Sequence, residues 1–171
     1  DNTSITEAVA NAAKIAKISP ENKDFKSLPG PQSYSDALTI DDFISKETLS
    51  ATPEQRADFA QIAITSAHAI DKRIKAVAGA IAHSTNELLI MNSLGVEAYT
   101  VGTTSTVNLT VLAEDGKEET AGWSADSRKD FTKLQVKTVA EKAAQKAAEG
   151  FGTQFIDPGE YEVILEPAAV G

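Results

Sequence analysis

The sequence predicts an α+β fold: an antiparallel β-meander packed on one side by two helices, preceded by an N-terminal helix and a long connector. Two segments of helical period, near 53–70 and 130–149, bracket a stretch in which the apolar period falls to two. Within that stretch Asp115-Gly116 is the strongest hairpin signal in the chain. Two helices laid on one face of a meander bury both apolar stripes against one sheet face, which is an α+β solution.

Ser4 and Glu7 have capping-box spacing, and Ile5, Ala8, Val9, Ala12, Ile15 and Ala16 follow at helical intervals, so a helix is expected to end near Ser19-Pro20. Half of its stripe is alanine, the pattern of a helix that docks on something larger or ends a longer unit. Pro20, Pro29, Gly30 and Pro31 then break the period up to residue 50. This connector carries apolar anchors at Phe25, Tyr34, Leu38, Ile40, Phe43 and Leu49, and either wraps the surface on them or links two units.

Thr52-Pro53-Glu54-Gln55 is a strong helix start: an N-cap hydroxyl, a proline where its missing N–H costs nothing, and Gln55 placed to reach back. Phe59, Ile62, Ala63, Ala67 and Ile70 form one face, and the helix should end near Asp71-Lys72-Arg73 with cations at its negative pole. Ile74–His83, Glu87–Met91 and Val96–Ala113 read as three strands, joined by Ser84-Thr85-Asn86 and Asn92-Ser93-Leu94-Gly95. In the third, Val107, Leu109 and Val111 share one face and Thr106, Asn108 and Thr110 the other, so one side is buried and one wet. The hairpin returns the chain along Glu118–Ser124. A helix over 130–149 faces Val136, Val139, Ala140, Ala143 and Ala147 inward and ends at Gly150 as a left-handed terminator. Pro158-Gly159 leads into a last strand at Tyr161–Leu165.

The chain has 171 residues, enough for one domain with an appendage and a real core. Its 16 basic and 25 acidic residues leave a net charge of −9 that repels a phosphate backbone, so direct nucleic-acid binding is not expected. No apolar run approaches the ~20 residues of a membrane span. The absence of cysteine removes disulfides, thiolate nucleophiles and Cys-ligated metals, and fits a reducing, cytoplasmic setting. Asp1 in place of Met, and a stop just after a strand-like segment, read as an excerpt of a longer protein.

Candidate chemistry is sparse. His68 and His83, the two histidines, belong to no closely spaced ligand set and read as structural. Asp41-Asp42 could hold a cation, but adjacent carboxylates on a loop are ordinarily solvated. Gly102-Thr103-Thr104-Ser105-Thr106 lacks the ending of a phosphate loop, and its mid-strand glycine points to a bulge or a close backbone approach. Asn2-Thr3-Ser4 and Asn108-Leu109-Thr110 match short glycosylation sequons that arise by chance. Tyr99, Trp123, Asp126 and Arg128 have recognition character, because aromatics and arginine are favoured at interfaces. The plainer alternative is a tryptophan that caps the sheet edge and packs on the helix, beside an Asp126–Arg128 surface pair.

The run AHAIDKRIKAVAGA at 67–80, with NELLIMNSLGVEAYTVGTTSTVNLTVLAEDGKEETAGWSADSRKDF at 86–131, resembles the TldD/PmbA family, modulators of DNA gyrase by name. The ordered set is an Ala-rich helix ending in Asp-Lys-Arg, a strand, an Asn-Ser-x-Gly turn, a long Ser/Thr-rich strand closing on Ala-Glu-Asp-Gly, and an aromatic segment ending in Ala-x-x-Arg. The closing Pro-Gly-x-Tyr-x-Val-Ile-Leu-Glu-Pro extends it to residue 167, and phrases such as AIDKRI are closer to PmbA/TldE-type members than to TldD-type ones.

This resemblance implies a two-part parent, α/β in its first portion and β-rich in its second. TldD-type members look like zinc peptidases with a later HExxxH helix, acting with a PmbA-type partner that lacks the motif. They are linked to maturation of peptide antibiotics and breakdown of antitoxin peptides. No such motif occurs here, so no catalytic residue and no cofactor are expected in this chain, and zinc is implied only for the parent or its partner. The expected division is an N-terminal helix and connector at 1–50, an α+β middle domain at 51–157, and a strand at 158–171 leading onward. Its expected partners are a peptide or unfolded-protein substrate and a homo- or heterodimeric family member, with no nucleic acid and no membrane. The competing readings are a scaffold or assembly module without substrate contact, and a regulator of gyrase.

Overall fold

A computed structural model describes residues 2–32 and 40–170. In order along the chain these form α1 (Asn2–Ile18), a 3-10 turn (Ile40–Phe43), α2 (Lys46–Leu49), α3 (Pro53–His68) and the strands β1 (Ile74–Met91), β2 (Glu97–Glu114) and β3 (Glu119–Arg128). A second 3-10 turn (Phe131–Lys133), α4 (Val136–Glu149) and the short α5 (Pro167–Val170) follow. The fold is α+β, with a single three-stranded sheet in the order β1-β2-β3 among the described residues. The chain divides into two compact units, one drawn from residues 1–35 and Leu89–Tyr99, the other from residues 36–88 and Thr100–Gly171.

In the first unit α1 buries none of its side chains, and Ile5, Val9, Ile15 and Ile18 are all exposed. The helix already begins at Asn2, so Ser4 lies inside its first turn and is not the N-cap. The Asn-Ser-x-Gly turn explains itself through Asn92. Its Oδ1 accepts from the Leu94 and Val96 amides at 2.9 and 3.1 Å, and Gly95 takes φ +91, where a side chain would be strained. The Asn92 amide group also donates to the Pro29 carbonyl at 2.8 Å.

The second unit holds the core. Along β2 burial alternates strictly: Val107, Leu109, Val111 and Ala113 point inward, and the residues between them are partly or fully exposed. The capping box at Thr52 is complete, with Thr52 Oγ1 accepting from the Gln55 amide and Gln55 Oε1 from the Thr52 amide. Helix α3 contributes Ala63 and Ala67, and α4 contributes Val136, Val139, Ala140, Ala143, Ala144 and Ala147. Phe131 is buried, stacked on Phe59 with ring centroids 4.8 Å apart. Ile62 and Ile70, expected on the buried face of α3, are instead exposed.

Alanines let backbone approach backbone. A Cβ on Gly122 of β3 would stand 2.1 Å from the Ala143 carbonyl oxygen of α4, so helix and strand meet where only glycine fits.

Several expectations are corrected. Ser84-Thr85-Asn86 is no turn but the middle of an unbroken β1; Asn86 donates to Ser84 Oγ at 3.1 Å along the strand, so these polar groups are satisfied without reversing the chain. The strand sequence Tyr161–Leu165 forms no strand, because no neighbour offers it a ladder, and Val163 and Ile164 stay exposed. The return strand is longer than expected, reaching Arg128.

The last helix begins only at Val136, behind a 3-10 turn started by Asp130, whose Oδ1 accepts from the Thr132 amide at 2.8 Å. Gly150 keeps right-handed dihedrals; the Thr120 hydroxyl satisfies the last-turn Ala147 carbonyl at 2.6 Å, and the left-handed residue is Gly152 at φ +73.

Arg73 does not serve its own helix. Helix α3 ends at His68, and the Arg73 guanidinium grips Asp71 through two N–H groups at 3.0 and 2.7 Å, donates to the Ala148 carbonyl of α4, and lies 4.1 Å over the Phe151 ring. These bonds from Arg73 hold the Asp71 carboxyl at about 2. The Asp-Lys-Arg sequence is therefore a buckle between the α3–β1 turn and the end of α4.

The connector is anchored by polar groups. Phe25, Phe43 and Leu49 are exposed, while Tyr34, Leu38 and the Ile40 side chain lie outside the described residues. Buried Thr48 does the anchoring: its hydroxyl donates to the Lys129 carbonyl at 2.8 Å, accepts from the Phe131 amide at 2.8 Å and lies 3.3 Å from Ser105 Oγ. Beside it Thr103 Oγ1 accepts from the Ser45 amide at 2.9 Å and donates to Lys129 O at 3.0 Å. The Ser/Thr-rich part of β2 is thus a dock for the connector. Among the described residues no buried side-chain polar atom lacks a partner.

Candidate functional site

The site with recognition character is the outer side of β3. As the last strand in the order β1-β2-β3 it pairs, among the described residues, on one side only, antiparallel to β2 from Ser105↔Arg128 to Glu114↔Glu119. Trp123 sits mid-strand opposite Thr110, and its side chain is 47% exposed. Gly122 directs its Cβ position at α4, so its neighbour Trp123 points to the opposite, open face, where Leu112 is also exposed. Trp123 thus leaves the sheet on the face opposite the Gly122–α4 contact, and at the strand edge it lines one groove with Lys142 and Lys146 of α4.

Asp126 and Arg128 lie two residues apart on β3 and pair at 3.0 Å. Asp126 Oδ2 also accepts from the Gln135 amide at 3.0 Å just before α4, so this carboxylate doubles as a structural acceptor at the helix entry. Tyr99 is exposed and belongs to the first compact unit, whereas Trp123, Asp126 and Arg128 belong to the second.

Two histidines are placed structurally. His83 is half-buried within β1, edge-on to Phe131 at 5.7 Å, with Nδ1 3.4 Å from Arg56 Nη1. His68 is the exposed last residue of α3. Asp41 and Asp42 lie in the first 3-10 turn, where the Asp42 backbone carbonyl accepts from Lys129 Nζ at 2.7 Å. A Cβ added at Gly102 would stand 3.5 Å from the Phe43 carbonyl oxygen, an ordinary contact distance, so space alone does not require glycine there.

Sequence reasoning missed three residues at the β3 edge. Lys142 and Lys146, one turn apart on α4, both meet Glu166, with separations of 3.1 and 2.5 Å. Helical spacing aligned the two lysines in advance; nothing in the sequence tied them to a carboxylate 20 residues further on. A second hollow, of about 290 Å³, lies between α3 and β1, lined by Ala57, Ala60, Ala63, Val77, Ile81 and Leu109 among others.

A family model described as the PmbA/TldA metallopeptidase central domain matches residues 46–150. This chain belongs to that family. Three solved structures share the fold of this PmbA/TldD chain. TldE from Thermococcus kodakarensis matches with TM-score 0.68 and 24% identity over 86% of this chain and 33% of its own. A candidate DNA gyrase modulator from Thermotoga maritima matches with TM-score 0.67 and 18% identity over 80% of this chain and 31% of its own. Another, from Bacteroides thetaiotaomicron, matches with TM-score 0.80 and 15% identity over 94% and 37%. The chain thus spans about a third of these relatives. Comparison with curated protein sequences finds no match.

The family's name refers to metallopeptidases. Among the described residues no three His, Cys, Asp or Glu side chains gather where they could hold a metal ion. The described residues therefore offer no donor set that fits zinc. Among the described helices none is long and apolar enough to cross a membrane.

Proposed function

We propose that this PmbA/TldD central domain serves a peptidase assembly by presenting the free edge of β3 to an extended peptide or unfolded-protein substrate. The observation that carries the reading is an edge strand with a half-exposed tryptophan at its centre. Unpaired strand N–H and C=O groups add a peptide as a further strand, and a neighbouring aromatic supplies side-chain contact. The peptidase role is supported by the family description, and the chemistry is assigned to parts of the assembly beyond these residues.

The division into 1–50, 51–157 and 158–171, the PmbA/TldE-type assignment, a family partner as homo- or heterodimer, and a cytoplasmic location belong to the same proposal. A gyrase contact through DNA is disfavoured by the net charge of −9.

The test is titration of the intact protein, alone and with its partner, with a labelled unfolded peptide. Binding is expected, and Trp123→Ala should weaken it about tenfold, about 1.4 kcal/mol for one half-buried aromatic contact. Absence of binding in every combination overturns the reading. It would leave the assembly-module alternative, which the exposed apolar residues of α1 favour.

A further inference from the structure

A groove of about 220 Å³ runs beside β3 and touches three consecutive residues, Trp123, Ser124 and Ala125. Consecutive strand residues point to opposite faces, so a hollow that meets all three lies along the strand's edge. Its other wall is α4, from which Lys142 and Lys146 project together. Into this space the chain inserts its own Glu166. Lys142 Nζ stands 3.1 Å from Oε1, and Lys146 Nζ donates to Oε2 at 2.5 Å, so each carboxylate oxygen has its own ammonium. Hydrogen bonds from Lys146 and then Lys142 hold the Glu166 carboxyl below its ordinary range. The stretch before it, Phe155–Leu165, has no helix or strand, and Ile156, Val163 and Ile164 are exposed, so Glu166 ties an irregular segment to the sheet edge.

We propose that Lys142 and Lys146, beside the β3 edge at Trp123–Ala125, form a recognition site for a carboxylate of an extended acidic peptide, and that Glu166 occupies this site as an internal latch. The inference rests on the strand-addition reading above and adds the substrate chemistry and its control. A peptide pairing with the edge must displace Glu166, and one carrying its own Asp or Glu restores the two ion pairs that it breaks. A basic peptide brings like charge to the lysines and restores nothing, so the site discriminates by repulsion as well as attraction. Exposed ion pairs of this kind are individually weak and screened by salt, so the latch competes with a peptide without locking it out. It also screens the Trp123–Ala125 stretch of an edge that is otherwise open to pairing with other chains.

The experiment compares the intact protein with Glu166→Gln and with the Lys142→Glu, Lys146→Glu double variant. The probes are three labelled peptides of one length, rich in Glu, Gln or Lys, at low and high salt. Glu166→Gln should bind the Glu peptide about tenfold more tightly than the parent, the gain expected when a site about 90% closed is opened. The double variant should lose the Glu peptide and gain the Lys peptide, a reversal that general damage to the fold would not produce. Equal affinity of the parent and Glu166→Gln for the Glu peptide overturns the latch while leaving strand addition intact. Equal affinity for the Glu and Gln peptides overturns the carboxylate site. Failure of all three peptides with every protein overturns the strand-addition reading and this inference with it.

Discussion

Thr48 shows how one hydroxyl can fasten a connector. It donates to the Lys129 carbonyl and accepts from the Phe131 amide, with Ser105 Oγ alongside, and it is fully buried. Lys129 O keeps a second donor in Thr103, so removing the Thr48 hydroxyl orphans chiefly the Phe131 N–H. Thr48→Val keeps the shape and should destabilise the domain by about 1–3 kcal/mol, the cost of a buried amide without a partner, as measured by denaturant unfolding. Ser105→Ala, which removes one 3.3 Å contact and strands no backbone group, should cost less. A Thr48→Val variant as stable as the parent would show that the connector is held elsewhere. None of this was legible beforehand: Thr48 meets Ser105 across 57 residues and Phe131 across 83, and no local pattern marks such a meeting.

At the scale of elements, the contact of α4 with β3 depends on Gly122. A methyl group there would stand 2.1 Å from the Ala143 oxygen and 2.6 Å from the Ala147 nitrogen, both backbone atoms that cannot swing aside. Gly122→Ala should therefore push α4 outward and destabilise the domain by about 1–3 kcal/mol, the usual cost of overpacking, read from thermal unfolding. An unchanged midpoint would contradict the close approach. The elements most legible in sequence were those whose signals are local and redundant. The Thr52 capping box, the alternation from Thr106 to Val111 and the Asp115-Gly116 turn all formed as read. Where composition spoke without partners it misled. Ser84-Thr85-Asn86 has turn residues but lies in a continuous strand, and Tyr161–Leu165 has strand residues but no neighbour to pair with.

Over the whole molecule, family and fold class were legible because an ordered set of loose motifs is more specific than any one of them, and the central-domain match at 46–150 and three shared folds agree with it. The candidate site was legible only in part. Trp123 stood out as the single tryptophan of the chain, but its position on a free edge and the Glu166 carboxylate between two lysines are tertiary facts. Both functional inferences depend on the outer backbone of β3 accepting a peptide strand. Amide hydrogen exchange on the intact protein, with and without saturating unfolded peptide, reads that backbone directly. Strand addition requires that the β3 amides pointing away from β2 slow by at least about tenfold when peptide is present, while the amides already paired with β2 change little. Exchange along Glu119–Arg128 that is the same with and without bound peptide would contradict it.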